Sequence, residues 1–146
     1  MRRLAALTFI CAMLTGCARP SASIEVEGAW APAMPPTASV AAVYMKITAN
    51  EPDRLLGASS PIAASVEVHQ TSTEDGIARM RPLESISLGQ RESVTLEPGG
   101  AHLMLLGINT PLEAGKTIEL DLQFENAGVV KVQVPVMASD DDHAHH

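Results

Sequence analysis

Four side chains are the ones whose types and spacing could do chemistry: His69, Met80, His102 and Met104. They are separated by ten residues, then twenty-one, then one. Imidazole is a borderline donor and thioether a soft one, and thioether sulfur selects Cu(I) over Zn, Fe or Mg where imidazole alone would not discriminate. Singly, each residue has an ordinary structural use, since a methionine on a strand fills core and a histidine there is commonly a satisfied polar group. The combination carries the reading. Met34, Met45 and Met137 pair with no histidine and are assigned to packing.

The elements that must position these four are short strands. No helical periodicity of useful length is present. Runs of period two recur near 24–30, 39–48, 64–71, 76–83, 92–97, 102–108, 117–124 and 129–136, separated by turn residues. Strands at this spacing predict an antiparallel all-β sandwich or barrel. The clearest pair sets Ile118, Leu120, Leu122 and Phe124 against Val130, Val132 and Val134 across Glu125-Asn126-Ala127-Gly128, a hairpin with one buried face. Pro98-Gly99-Gly100 is a second strong turn, and it delivers the chain to His102. Side chains alternate along a strand, so His102 and Met104 share one face and Leu103 and Leu105 the other. By the same rule Glu67 and His69 oppose Val66 and Val68. Met80 shares a face with Ala78, and Arg79 and Arg81 take the other.

Composition bounds what this domain can be. The chain has 146 residues and a mean hydropathy of +0.11, room for one globular domain with a sizeable core. Aromatic residues are 3% of the total, Trp30, Tyr44, Phe9 and Phe124, too few for base-stacking platforms. The net charge of −7 opposes a phosphate backbone, so nucleic acid is excluded as a partner. No Ser/His/Asp constellation is suggested, since Glu67 beside His69 along one strand is not that arrangement, and the chain is read as a non-enzyme.

Residues 1–16 combine basic Arg2 and Arg3 with an apolar stretch from Leu4 to Leu14, the pattern of a secretory signal. That stretch is shorter than the roughly 20 residues a resident spanning helix needs. Leu14-Thr15-Gly16-Cys17 resembles the lipobox of bacterial lipoproteins, in which the cysteine is acylated and becomes the first mature residue, and double acylation anchors stably. Residues 17–23 then form the lipidated cysteine and a tether, 24–137 the folded domain, and 138–146 an acidic, His-rich, disordered tail. Removing the signal leaves 8 basic and 17 acidic residues, a net −9. With Cys11 lost and Cys17 acylated, the folded domain holds no thiol. A thiol reductase is excluded, and so is a blue-copper carrier, whose site needs a cysteine sulfur. His143, His145 and His146 beside Asp140, Asp141 and Asp142 form a tract of the kind that captures Cu(II).

The four-residue pattern H-x10-M-x21-H-x-M resembles that of the periplasmic copper chaperones called PCu(A)C. The likeness runs from about Val26 to Val136 and covers Ala29-Trp30, Ala42-Val43-Tyr44, Asp53-Arg54-Leu55, Val68-His69, Asp75-Gly76, Met80-Arg81-Pro82, Pro98-Gly99-Gly100 and His102-Leu103-Met104. The resemblance implies a cupredoxin-like Greek-key β-barrel or sandwich binding one Cu(I) near its surface through His69, Met80, His102 and Met104. It further implies delivery toward the Cu(A) site of cytochrome c oxidase, directly or through other chaperones such as Sco-type proteins. A monomer held to the envelope membrane by lipid, facing the periplasm, is the expected setting. Some relatives place a methionine directly after the first histidine; here that position is Gln70. The contrasting expectation is a structural or adhesin-like β-sandwich lipoprotein in which the four residues merely pack.

Overall fold

Alternation of apolar and polar side chains becomes burial with little loss. In the computed structural model, which describes residues 22–138, the strand Thr117–Phe124 buries Ile118, Leu120, Leu122 and Phe124 and exposes Glu119 and Gln123. Its hairpin partner Gly128–Met137 buries Val132, Val134 and Val136, and Gly128 closes the turn at a φ of +76° that favours glycine. Every regular element among the described residues is a strand: β1 Ile24–Pro32, β2 Val40–Ala49, β3 Asp53–Ser59, β4 Ser65–Glu74, β5 Ile77–Leu83, β6 Ile86–Leu88, β7 Ser93–Leu96, β8 Ala101–Leu106, β9 Thr117–Phe124 and β10 Gly128–Met137. The proposed signal, Cys17, most of the tether and the His-rich end of the tail lie outside the described residues.

Strand order along the hydrogen-bonded path is β5-β4-β8-β2-β1-β10-β9-β3-β6. The pairing Ala58↔Val66 joins β3 back to β4, which returns the path on itself. Pairing is antiparallel with one departure from the expected all-antiparallel scheme: β1 and β10 run parallel through Ala31↔Val136 and Pro32↔Met137. The reason is topological, because the first and last strands meet with no hairpin to reverse one of them.

The eight strands expected from periodicity are present with ends shifted by a few residues. β3 and β6 were not anticipated. β3 carries adjacent Leu55 and Leu56 and an irregularity between Leu55 and Gly57, which breaks the period-two signal, and β6 is only three residues long.

β3 also anchors the β9–β10 turn. Asp53, 7% exposed, accepts hydrogen bonds on Oδ1 from the Arg54 and Asn126 N–H groups at 2.7 and 2.9 Å and on Oδ2 from the Ala127 N–H at 2.9 Å. Burial pushes its pKa up, but the backbone N–H groups of Asn126, Arg54, Ala127 and Glu125 outweigh it and hold the carboxyl below its ordinary value of 3.8. A carboxylate depressed on folding contributes stability that is complete above its unfolded pKa and is lost as pH falls through the folded value. Asp53→Asn is therefore expected to cost about 2 kcal/mol at neutral pH, the order of a charge-assisted bond. It should also flatten the fall of stability below pH 3.8 in denaturant titrations. An unchanged acid limb would show that the carboxylate is not the group responsible.

Candidate metal site

β7 and β8 behave as one strand interrupted. Both pair antiparallel with β2, β7 through Met45↔Leu96 to Thr48↔Ser93 and β8 through Val40↔Leu106 to Val43↔Leu103. Between them Pro98-Gly99-Gly100 loops out, with Gly99 at a φ of +80° and the loop closed by Glu97 N–H to Ala101 C=O at 2.8 Å. The interruption leaves the Gly100 carbonyl free to accept from the Thr71 N–H at 3.0 Å and from His102 Nδ1 at 3.2 Å.

Register decides which side chains meet. In the β4/β8 ladder His69 stands opposite His102 and Glu67 opposite Met104. In the β4/β5 ladder Met80 stands opposite Thr71. Residues directly opposite one another share a face, as do alternate residues along a strand, so His69, Met80, His102, Met104 and Glu67 all project from one face of β5-β4-β8. The reverse face carries Val66, Val68, Leu103 and Leu105, all buried. The two faces expected for this strand pair are thus the faces observed.

The four are not equally close. His69 faces His102 with ring centroids 6.0 Å apart, and Met104 is a diagonal neighbour of His69, a separation of about 7–8 Å that long side chains cross. Met80 is the other diagonal neighbour, across β5, and is half exposed. Met80 and Met104 are therefore the widest pair, separated by two strand spacings of about 4.8 Å and by the rise of four residues at about 3.3 Å each. The structure gathers His69, His102 and Met104 and holds Met80 at the outer edge of the same face.

His102 is 4% exposed although it lies on the outer face. Tyr44 flanks it at 6.3 Å, and Trp30 backs Tyr44 at 4.8 Å, so an aromatic row runs Trp30, Tyr44, His102, His69 across β1, β2, β8 and β4. Burial pushes the Tyr44 phenol above its ordinary value, so it stays neutral and adds no net charge beside His102.

Each imidazole is tied by one nitrogen. Donation from His102 Nδ1 to the Gly100 carbonyl leaves Nε2 as the lone-pair atom. His69 Nε2 donates to Glu67 Oε2 at 2.9 Å, which leaves Nδ1 as acceptor, and that atom is buried with no hydrogen-bond partner. A buried unpaired nitrogen costs free energy on the order of 1–3 kcal/mol, so it needs an explanation, and a metal ion supplies one. Histidines that ligate metals characteristically donate their second nitrogen to a carboxylate or a carbonyl. Both patterns are present here. No group of three or more His, Cys, Asp or Glu side chains fit to hold a metal occurs among the described residues, which leaves the mixed imidazole–thioether set as the candidate.

Sequence reasoning had no role for Glu67, Tyr44 or the Gly100 carbonyl at this site. A carboxylate two positions before a strand histidine was a visible signal for the first; nothing in the sequence marks a backbone carbonyl. Gln70 lies on the reverse face and donates its amide to the Thr71 carbonyl, so that position does not project beside His69. Glu67→Gln is expected to weaken Cu(I) binding by about 10- to 100-fold, the usual loss for an orienting partner of a ligand histidine, measured by chelator competition. An unchanged affinity would remove Glu67 from the site.

The fold is all-β and similar to that of solved PCuAC domains. The copper-bound PCuAC domain from PmoF2 superposes with a TM-score of 0.67 at 31% identity, over 80% of this chain and 93% of that one. The Cu(I) form of DR1885 from Deinococcus radiodurans gives a TM-score of 0.61 at 31% identity, over 83% and 80% respectively. The LpqE-like family model, described by a lipoprotein name, matches residues 24–136. A protein of Leifsonia xyli subsp. xyli, also described as a lipoprotein, is 32% identical over 135 residues, covering 84% of this chain and 81% of that protein. The chain belongs to the LpqE-like family.

Proposed function

We propose that this protein is a non-catalytic copper chaperone of the cell envelope that carries one Cu(I) per chain on His69, Met80, His102 and Met104. The observation that carries the reading is the shared face of these residues together with the unpaired, buried Nδ1 of His69. Similarity to copper-bound PCuAC domains supports the same conclusion. Four neutral donors leave the bound ion with its single positive charge, and His69, His102 and Met104 hold it against the sheet while the exposed Met80 closes over it. A site with one exposed donor suits release to a partner. The cargo's destination in this reading is the Cu(A) site of cytochrome c oxidase, directly or through a Sco-type chaperone.

The return of the strand path through Ala58↔Val66 supports a cupredoxin-like Greek-key barrel. Acylation of Cys17 anchors a monomeric domain facing the periplasm, in keeping with the lipoprotein descriptions of its family and relative. His143, His145 and His146 collect Cu(II) at the C-terminus.

A Cu(I) titration under reducing conditions with a competing chelator, followed by X-ray absorption, tests the core of the proposal. One equivalent bound with both nitrogen and sulfur neighbours is expected. No uptake, or a shell of nitrogen and oxygen only, would leave a β-sandwich lipoprotein without this role.

A further inference from the structure

The β4–β5 hairpin ends in a two-residue turn, Asp75 at φ 52° and Gly76 at φ 76°. This is the geometry of a type I′ turn, whose flanking residues exchange hydrogen bonds. Glu74↔Ile77 is therefore a hydrogen-bonded pair, and alternation along the antiparallel ladder makes Ser72↔Arg79 and Gln70↔Arg81 the next ones. Ala78, Met80 and Pro82 are left with main-chain groups aimed away from β4. Two observations agree with that phase. The Thr71 N–H, opposite Met80, turns to Gly100 on the β8 side, and Pro82, which has no N–H to offer, falls at an outward position, where proline is tolerated in a sheet.

β5 terminates the strand path and is exposed along its whole length. Its outer edge thus offers N–H and C=O at Ala78 and Met80 and C=O at Pro82. Ile77, Met80 and Leu83 are all exposed large apolar side chains on this one strand. On its reverse face Arg79 and Arg81, 54% and 64% exposed, share the single carboxylate of Glu74 at 3.5 and 3.6 Å. Within β5 itself Arg79 and Arg81 are the only charged residues, and both project on this reverse face.

We infer that the outer edge of β5 is the docking site for an extended acidic segment of the copper-receiving protein, which adds to the sheet as a strand and sets a copper-binding side chain beside Met80. The inference rests on the copper-carrier reading above. Strand addition takes its affinity from main-chain bonds and its specificity from alternate side chains. The partner residue directly opposite Met80 projects on the same face as Met80, its Cα about 5.5 Å away in a hydrogen-bonded pair. A thioether, thiolate or imidazole there reaches the ion by way of the most exposed donor of the set. The partner residues on either side project onto the reverse face, opposite Arg79 and Arg81, where carboxylates fit. The ion moves as Cu(I) with no change of oxidation state: one bond from the incoming donor forms as one bond from this chain breaks. With the Pro82 N–H missing and two outward N–H groups available, the contact is short and reversible.

The probe is an acetylated, amidated heptapeptide, Thr-Val-Glu-Met-Glu-Val-Thr, added to the copper-free protein and followed by amide NMR and hydrogen exchange. Slowed exchange at Ala78 and Met80, absent with a peptide N-methylated at its central methionine and with one carrying Lys in place of Glu, is the expected result. Ala78→Pro removes one outward N–H without touching the ladder to β4. It should abolish peptide binding while leaving Cu(I) affinity at the wild-type value. From the loaded protein, Cu(I) should pass to the peptide about tenfold faster than to its N-methylated control, because docking raises the local donor concentration.

Equal binding of the N-methylated peptide, or unprotected Ala78 and Met80 amides at saturating peptide, would overturn the proposal. So would amides already protected without peptide and released on deleting residues 139–146, which would assign the edge to the protein's own tail. Failure of the copper reading shows separately, as absent Cu(I) uptake, because the exchange measurement needs no copper.

Discussion

Replacing His102 with alanine will lower the affinity for Cu(I) by more than about 100-fold, beyond the range seen for loss of an orienting partner. His102 is the most enclosed of the four proposed donors, at 4% exposure. Its ring is set by the Gly100 carbonyl and flanked by Tyr44 and His69, so no neighbouring side chain can swing in to replace it. Met80→Leu, by contrast, alters a half-exposed donor on the outermost strand. It should cost less affinity and should accelerate or divert transfer, since Met80 is the donor a partner meets first. Chelator competition on both variants, with circular dichroism to show that each is folded, gives the comparison. A His102→Ala protein that is folded and binds Cu(I) as tightly as the parent would eliminate the proposed site.

Leu103→Ala tests the other side of the same strand. Leu103 is fully buried, stands opposite Val43 on β2 and Val68 on β4, and lies between the two β8 donors in sequence. Close-packed cores do not collapse fully around a deleted isobutyl group, so the substitution is expected to cost about 3 kcal/mol, within the 2–5 kcal/mol common for buried leucines. For a domain of this size that lowers Tm by about 10 °C. Because Leu103 projects away from His102 and Met104, the folded variant should still bind Cu(I). Binding at 100 times Kd would then restore about 2.7 kcal/mol by mass action. A thermal scan with and without Cu(I) reads both effects. Loss of Cu(I) binding by a folded Leu103→Ala protein would show that the two faces are not independent.

Much of this arrangement was legible before any coordinates. His102-Leu103-Met104 and Val66-Glu67-Val68-His69 alternate cleanly, and the period of two placed the proposed donors on one face and core on the other. The Glu125-Asn126-Ala127-Gly128 and Pro98-Gly99-Gly100 turns marked where strands end. What sequence could not supply was register: only the ladder shows that His69 meets His102 while Met80 sits a strand further out, opposite Thr71. β3 was hidden because its apolar residues are adjacent and an irregularity interrupts its phase. The parallel meeting of β1 and β10 escaped because it joins residues more than 100 positions apart and no local pattern encodes it. The part played by the Gly100 carbonyl is a main-chain property that residue identity does not express.

Two seams divide the strand circuit. One is the short parallel contact at Ala31–Pro32 with Val136–Met137, and the other is the single pairing of Ala58 with Val66. Between them lie two continuous bodies, β5-β4-β8-β2-β1 on one side and β10-β9-β3-β6 on the other, and all four proposed donors belong to the first. Local opening is easiest where ladders are thinnest, which puts it at these seams and away from the β5-β4-β8 ladders that carry the proposed donors. The thinnest pairings of the circuit are thus set apart from the ladders on which the proposed site is built.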